Sequence, residues 1–165
     1  MRRAISILVD NQAGVLSRVS GLFSRRGYNI DSLSVGETEN PAVSRITIVA
    51  TGDEQILEQI GKQVSKLADC RQITELWPES SVFRELALIK IAAQASDRSE
   101  VFGIVEIFRA NIIDVSNLSI TVEITGDEGK ISAFMELMRP YGIIETARTG
   151  LTGLQRGPSS LSKDR

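Results

Sequence analysis

One order of strand and helix patterns occurs twice along this chain, and the repeat restricts the fold more than any other feature. In the first half, strand patterns lie at 4–9, 28–36, 46–50 and 70–77, and helical patterns lie at 15–23 and 56–67. Apolar residues that alternate are typical of half-buried strands, whereas spacings of three and four are typical of helices. The order βαββαβ is that of the ferredoxin-like, or split-βαβ, unit.

The second half repeats this order. Its strand patterns lie at 86–91, 111–116, 120–124 and 143–149, and its helical patterns lie at 101–108 and 131–138. The tetrapeptide Thr51-Gly52-Asp53-Glu54 returns as Thr125-Gly126-Asp127-Glu128, each time between an alternating strand and a helix. The sequence therefore predicts an α+β protein of two tandem ferredoxin-like units.

Composition excludes several classes of active site. The 165 residues include no histidine, which excludes a histidine general base, a Ser-His-Asp or Cys-His nucleophile and an imidazole metal site. Cys70 is the single cysteine, so neither an internal disulfide nor a cysteine metal cluster can form. We therefore assign no catalytic and no metal-binding residues. Catalysis by carboxylates alone remains an alternative, because acidic residues are plentiful.

The charge and the apolar runs bear on partners and location. Nineteen basic and twenty-one acidic residues give a net charge of −2, whereas nucleic-acid binders usually carry a basic excess. An RNA-binding ferredoxin-like protein also needs aromatic residues in its central strands, and segments 4–9 and 44–50 contain none. No apolar run is long enough to span a membrane or to act as a signal peptide. We expect a cytoplasmic protein that binds neither nucleic acid nor membrane.

The loop Asp10-Asn11-Gln12-Ala13-Gly14 joins the first strand to the first helix. The first backbone N–H groups of a helix have no partner within it, and together with the helix dipole they favour a small anion such as a carboxylate. Gly14 lets a ligand approach the backbone, and Asn11 offers a donor and an acceptor. From the residues alone, a simpler interpretation is that Asn11 caps the helix and Gly14 serves the turn.

The second strand of a ferredoxin-like unit lies at the edge of its sheet, and exposed edges are usually blunted or paired. Residues 28–35 contain neither proline nor lysine to blunt this edge. Pairing with the same strand of a second chain gives a symmetric dimer. In that dimer Asn29 and Ile30 lie near the partner's 10–14 loop.

Several segments together resemble the small regulatory subunit of acetolactate synthase (acetohydroxyacid synthase). They are Asp10-Asn11-Gln12-Ala13-Gly14-Val15-Leu16-Ser17-Arg18-Val19, Gly21-Leu22-Phe23, Arg25-Arg26-Gly27-Tyr28-Asn29-Ile30-Asp31-Ser32-Leu33, Ser44-Arg45-Ile46-Thr47-Ile48 and Ala147-Arg148-Thr149-Gly150. The similarity extends from residue 1 to about residue 157. A generic amino-acid-binding ACT domain shares the loop but not the segment from Arg26 to Leu33.

The resemblance implies an ACT domain at 1–78, a linker at 79–84 and an ACT-like domain at 85–157. Residues 158–165 are expected to be a disordered tail, because they lack an apolar stripe that can dock. A member of this family is not an enzyme. It binds the catalytic subunit, raises its activity and makes it sensitive to feedback by valine. The catalytic subunit carries thiamine diphosphate, FAD and magnesium, and the small subunit carries no cofactor.

The resemblance also implies where valine binds, at the interface between two ACT domains of a homodimer. Asn11 and the backbone of Gly14, Val15 and Leu16 hold the amino acid from one chain, and Asn29 and Ile30 close the site from the other. The second domain has Ala93-Gln94-Ala95-Ser96-Asp97 at the equivalent place, so we expect it to bind no valine there and to act in activation. The alternative is a stand-alone amino-acid sensor with tandem ACT domains and no catalytic partner.

Overall fold

The computed structural model describes residues 2–161, which form two units. The first unit contains the residues up to Phe83 and those from Leu151 onward, and the second is Arg84–Gly150. Each unit has an antiparallel sheet with two helices packed on one face. The α+β class with two tandem ferredoxin-like units is therefore confirmed.

The first unit follows the predicted βαββαβ order. Its strands are β1 (Arg2–Asp10), β2 (Ile30–Glu37), β3 (Val43–Thr51) and β4 (Cys70–Leu76), and its helices are α1 (Val15–Ser24) and α2 (Glu54–Val64). The strand order is β2-β3-β1-β4, which places β2 at an edge as expected. The core between sheet and helices is built from Ile5, Ile7, Val9, Val15, Val19, Phe23, Ile46, Ile48, Ala50, Leu57, Ile60 and Val64.

The second unit repeats this arrangement. Its strands are β5 (Ser81–Ala92, whose first three residues belong to the first unit), β6 (Asn111–Val115), β7 (Ser119–Gly126) and β8 (Ile143–Arg148). Its helices are α3 (Arg98–Ile107) and α4 (Glu128–Met138). The order β6-β7-β5-β8 matches that of the first sheet. The repeated Thr-Gly-Asp-Glu has one role in both units, because Asp53 caps α2 through Gln55 N and Asp127 caps α4 through Lys130 N.

A ninth strand, β9 (Thr152–Gln155), has no counterpart in the sequence patterns. It pairs with β5, and Leu161 is buried against Leu8 and Val43 of the first unit. Within the expected disordered tail at 158–165, Leu161 is buried, and residues 162–165 lie outside the described part. One isolated leucine creates no periodic pattern, so the sequence gives no sign that this segment docks.

The structure also divides the chain differently from the expected domain boundaries. In and beside the expected linker at 79–84, Pro78–Ser80 form a short 3-10 turn and β5 begins at Ser81. Residues 151–157 group with the first unit although they follow the second along the chain. Within residues 2–161, no helix is both long and apolar enough to cross a membrane.

Candidate functional site

The start of α1 is open to a ligand. Gly14 occupies the N-cap position in the left-handed conformation (φ 84°), and no side chain among the described residues caps the helix there. The first turn contains no acidic residue, and the Val15 N–H reaches only Gln12 O at 3.4 Å. The positive end of the helix dipole is thus left unneutralised.

Asn11 does not cap α1, which corrects the simpler interpretation of its role. Its backbone N–H donates to Ala42 O at 2.9 Å and so continues the pairing of β1 beyond Asp10. Its side-chain Nδ2 donates to Pro41 O at 2.9 Å and to Glu37 Oε1 at 3.1 Å. The side chain therefore faces the turn between β2 and β3. The same interpretation gave Gly14 a role in the turn, and its left-handed conformation agrees with that role.

Val15 and Leu16 play different parts in the first turn. The Val15 side chain is 3% exposed and belongs to the core, so only its backbone is available to a ligand. Leu16 is 41% exposed and presents an apolar surface beside the loop. The first turn thus presents backbone groups at Gly14 and Val15 and an exposed apolar side chain at Leu16.

Two ion pairs hold the loop in place. Asp10 Oδ1 lies 2.6 Å from Arg71 Nε, and Arg18 Nε lies 2.8 Å from Asp69 Oδ2. The Asp10 N–H also donates to Asp69 O at 2.9 Å. Because the guanidinium of Arg18 lies over Gly14, a Cβ atom added at Gly14 would lie only 3.1 Å from Arg18 Nη1.

Asn29 and Ile30 lie at the start of β2, away from this loop. The Asn29 side chain is exposed and donates to Asp31 Oδ1 at 3.2 Å. Ile30 pairs with Ala50 near the end of β3, whereas Asn11 is hydrogen-bonded to Ala42, just before β3 begins. Since a strand rises about 3.4 Å per residue, the two ends of β3 are roughly 27 Å apart. Within one chain, the structure brings together Asn11, Gly14, Val15 and Leu16 but not Asn29 and Ile30.

The equivalent loop in the second unit is built differently. Asp97 precedes α3, and Glu100 lies in the first turn, so acidic groups surround this helix start. The Arg98 Nη2 donates to Ser116 O at 2.6 Å and to Asn117 O at 3.0 Å. Two acidic side chains disfavour a carboxylate ligand at this position.

Cys70 is half-buried at the start of β4. Burial raises the pKa of its thiol, so the thiol is protonated at neutral pH. A protonated thiol is a poor nucleophile, in agreement with a structural role for Cys70.

Two family models match the chain along most of its length. One, described as an AHAS small subunit-like ACT domain, matches residues 5–72. The other, described as the small subunit of acetolactate synthase, matches residues 84–157. The chain belongs to the acetolactate synthase small-subunit family. The resemblance drawn from the sequence is thereby confirmed, and the chain is an ACT-domain regulatory subunit.

Individual relatives agree with this assignment. The acetolactate synthase small subunit of Bacillus subtilis is 49% identical over 158 residues, covering 95% of this chain and 92% of its own. The isozyme 3 small subunit of Escherichia coli is also 49% identical, covering 95% and 97%. The crystal structure of the small subunit from Thermotoga maritima superposes with a TM-score of 0.88 at 43% identity, covering 96% of this chain and 99% of that one.

The groups that position the 10–14 loop of this small subunit are not evident from its sequence. Glu37 and Pro41 hold Asn11, and Arg71 and Asp69 brace the residues on either side. These partners are separated from the loop by 26 to 61 positions in the sequence. No local pattern signals such contacts, because they arise only when β3 and β4 align beside β1.

Proposed function

We propose that this small subunit activates the catalytic subunit of acetolactate synthase and confers feedback inhibition by valine. The observation that carries the proposal is the uncapped start of α1, where Gly14 has a φ of 84° and lies three positions after Asn11 in the same loop. Valine is a zwitterion with a short apolar side chain. Its carboxylate suits the free N–H groups of α1, and its side chain suits the exposed Leu16.

The second half of the site comes from a partner chain in this proposal. Antiparallel pairing of two β2 edges about a twofold axis puts the start of one strand opposite the end of the other. The end of β2 is Glu37, whose carboxylate is hydrogen-bonded to Asn11. The partner's Asn29 and Ile30 then lie next to the 10–14 loop. Within one chain, the same two residues are far from that loop. This geometry supports a homodimer with two valine sites.

Activation is assigned to the second unit and to contact with the catalytic subunit. The open helix start of the first unit is replaced there by Asp97, Arg98 and Glu100, so that unit is proposed to bind no valine at this position. We expect thiamine diphosphate, FAD and magnesium to be carried by the catalytic subunit and none by the small subunit. We also propose a cytoplasmic location, which fractionation of cells would check.

Calorimetric titration with valine, with glutamate as the control ligand, tests the site directly. Wild-type protein is expected to bind valine saturably. Asn11→Ala is expected to lose that binding because the side-chain amide, with its donor and its acceptor, is removed. Ser17→Ala, in the first turn but not assigned to the site, is the matched control. Saturable binding that survives in Asn11→Ala would contradict the assignment of this loop.

Reconstitution with the catalytic subunit separates the proposal from its alternative. The wild-type small subunit should raise acetolactate formation and make it valine-sensitive, whereas Asn11→Ala should activate without conferring sensitivity. Valine binding without any activation would favour the stand-alone amino-acid sensor. Equal loss of activation and sensitivity in Asn11→Ala would show that the two functions cannot be separated at this site.

A further inference from the structure

Two serine hydroxyls of β2 hold both backbone groups of a single residue in the C-terminal segment. Ser32 Oγ accepts a hydrogen bond from the Leu151 N–H at 2.8 Å, and Ser34 Oγ donates to the Leu151 carbonyl at 3.0 Å. Ser32 and Ser34 are two positions apart on a strand and therefore lie on the same face. Both bonds are half-buried, which protects them from competition with water.

Leu151 is the residue at which the chain returns to the first unit. Two positions earlier, Thr149 is fixed within the second unit, where its N–H donates to Leu86 O at 3.0 Å and its Oγ1 accepts from the Leu86 N–H at 3.1 Å. Only Gly150, with a φ of 80°, separates the two anchored residues. Gly150 is therefore the single residue that can absorb a displacement of Leu151 before it reaches Thr149 in the second unit.

The same strand carries the proposed effector contacts. Ile30 begins β2, Asn29 precedes it, and Glu37 at its end is hydrogen-bonded to Asn11. β2 pairs with β3 on one side only within the described residues, so its other edge is available to a partner chain. Ser32 and Ser34 lie within this strand, so any displacement of β2 on engagement is carried to both hydroxyls.

We propose that Ser32 and Ser34 form a latch on Leu151 that transmits the state of β2 to the point where the chain leaves the second unit. The inference rests on the proposed valine function. It adds the path by which valine binding at β2 affects the second unit. Ser32 and Ser34 are positioning residues, because they contact neither valine nor the catalytic subunit in this scheme. A ligand alters a distant equilibrium only through a difference in affinity between two states, and the latch supplies a physical connection between them.

The test uses the double variant Ser32→Ala/Ser34→Ala in the full chain reconstituted with the catalytic subunit. The isolated variant is expected to bind valine within about twofold of the wild type, as is usual for substitutions outside a binding site. In the complex, the valine concentration for half-maximal inhibition is expected to rise at least about fivefold, the lower end of typical coupling between sites. Activation without valine should stay at the wild-type level.

Two further variants show whether the effect belongs to the hydroxyls on β2. Ser32→Thr/Ser34→Thr keeps both hydroxyls and should restore inhibition. Ser24→Ala/Ser65→Ala removes two exposed hydroxyls that donate to the carbonyls of Ser20 and Lys62, and it should behave as the wild type. Amide hydrogen exchange over residues 151–155 gives a readout independent of activity. Exchange there should be faster in Ser32→Ala/Ser34→Ala than in the other two variants.

The outcomes separate this inference from the function on which it rests. If the wild-type complex responds to valine and Ser32→Ala/Ser34→Ala responds at the same concentration, the latch is overturned alone. Unchanged hydrogen exchange over residues 151–155 in that variant overturns it as well. If the wild-type chain neither binds valine nor confers inhibition, the proposed function fails and the latch falls with it.

Discussion

At the scale of single residues, Gly14 meets two requirements at once. Its φ of 84° lies in the left-handed region, which residues with a Cβ adopt only at a cost. The space beside it is also limited, because a Cβ atom would lie 3.1 Å from Arg18 Nη1. Glycine thus permits the turn into α1, and in the proposed site it also lets valine approach the first N–H groups of the helix.

Replacing Gly14 by alanine should therefore impair stability and ligand binding together. We expect Gly14→Ala to lower the free energy of unfolding by roughly 1–2 kcal/mol, because the left-handed conformation is strained for alanine. We also expect weaker valine binding, because the Cβ atom narrows the approach to the backbone. Urea denaturation and calorimetry measure the two effects.

Gly21, in the middle of the same helix, is the matched control. A Cβ there meets no atom within 4 Å, so Gly21→Ala should raise stability by about 0.5–1 kcal/mol and leave valine binding unchanged. If Gly14→Ala is as stable as Gly21→Ala and binds valine equally well, the structural account of Gly14 is wrong.

At the scale of elements, β2 joins three features of this small subunit. It is an edge strand, it is flanked by the proposed effector contacts, and it carries the two serines that hold Leu151. Val35 on this strand is 46% exposed although it lies on the same face as Leu33, which is partly buried and packs against the core. An apolar side chain left open at an unblunted edge is what a strand-pairing interface requires.

A charge at Val35 should prevent that pairing. We expect Val35→Lys to raise the dissociation constant of the dimer at least about tenfold, since like charges meeting across a twofold axis repel one another. Valine binding should fall in parallel, because the site needs both chains. Size-exclusion chromatography with light scattering gives the oligomeric state over a range of concentrations.

Ile144→Lys provides the comparison, because Ile144 is also an exposed apolar residue on an edge strand but belongs to β8 of the second unit. It should leave the dimer intact. A Val35→Lys protein that stays dimeric and binds valine like the wild type would rule out pairing through β2.

At the scale of the whole molecule, the first unit is completed by residues from both ends of the chain. Leu161 is 7% exposed and packs against Leu8 and Val43, and Arg156 donates through its backbone N–H to Ser80 O at 2.8 Å. The second unit is thus inserted into the first along the sequence. Stability of the ACT domain is expected to depend on residues that follow the second unit.

Leu161→Ala tests this dependence. Removing a buried leucine side chain should destabilise the first unit by about 2 kcal/mol. Leu154→Ala, at an exposed position in β9, should change stability by less than about 0.5 kcal/mol. Trp77, the single tryptophan, lies in the first unit and reports its unfolding by fluorescence. Equal stability of the two variants would show that the C-terminal segment does not support the ACT domain.

The sequence by itself determined the two βαββαβ repeats of this protein and its family. Helices and strands follow from apolar periods that depend only on local backbone geometry, and Asp53 and Asp127 mark two helix starts by local chemistry. The segment from Arg26 to Leu33 was specific enough to indicate the acetolactate synthase small subunit. The edge position of β2 followed from the topology of the unit.

The tertiary structure alone decided which distant residues meet. Asn11 looked like a helix cap, but alignment of β1 beside β3 turned its side chain to Glu37 and Pro41. No partner for the residues after Gly150 was evident from the sequence, but Ser32 and Ser34 hold Leu151, and Leu161 packs against Leu8. Such contacts depend on packing between remote segments, and a single buried leucine or hydroxyl produces no periodic signal along the chain.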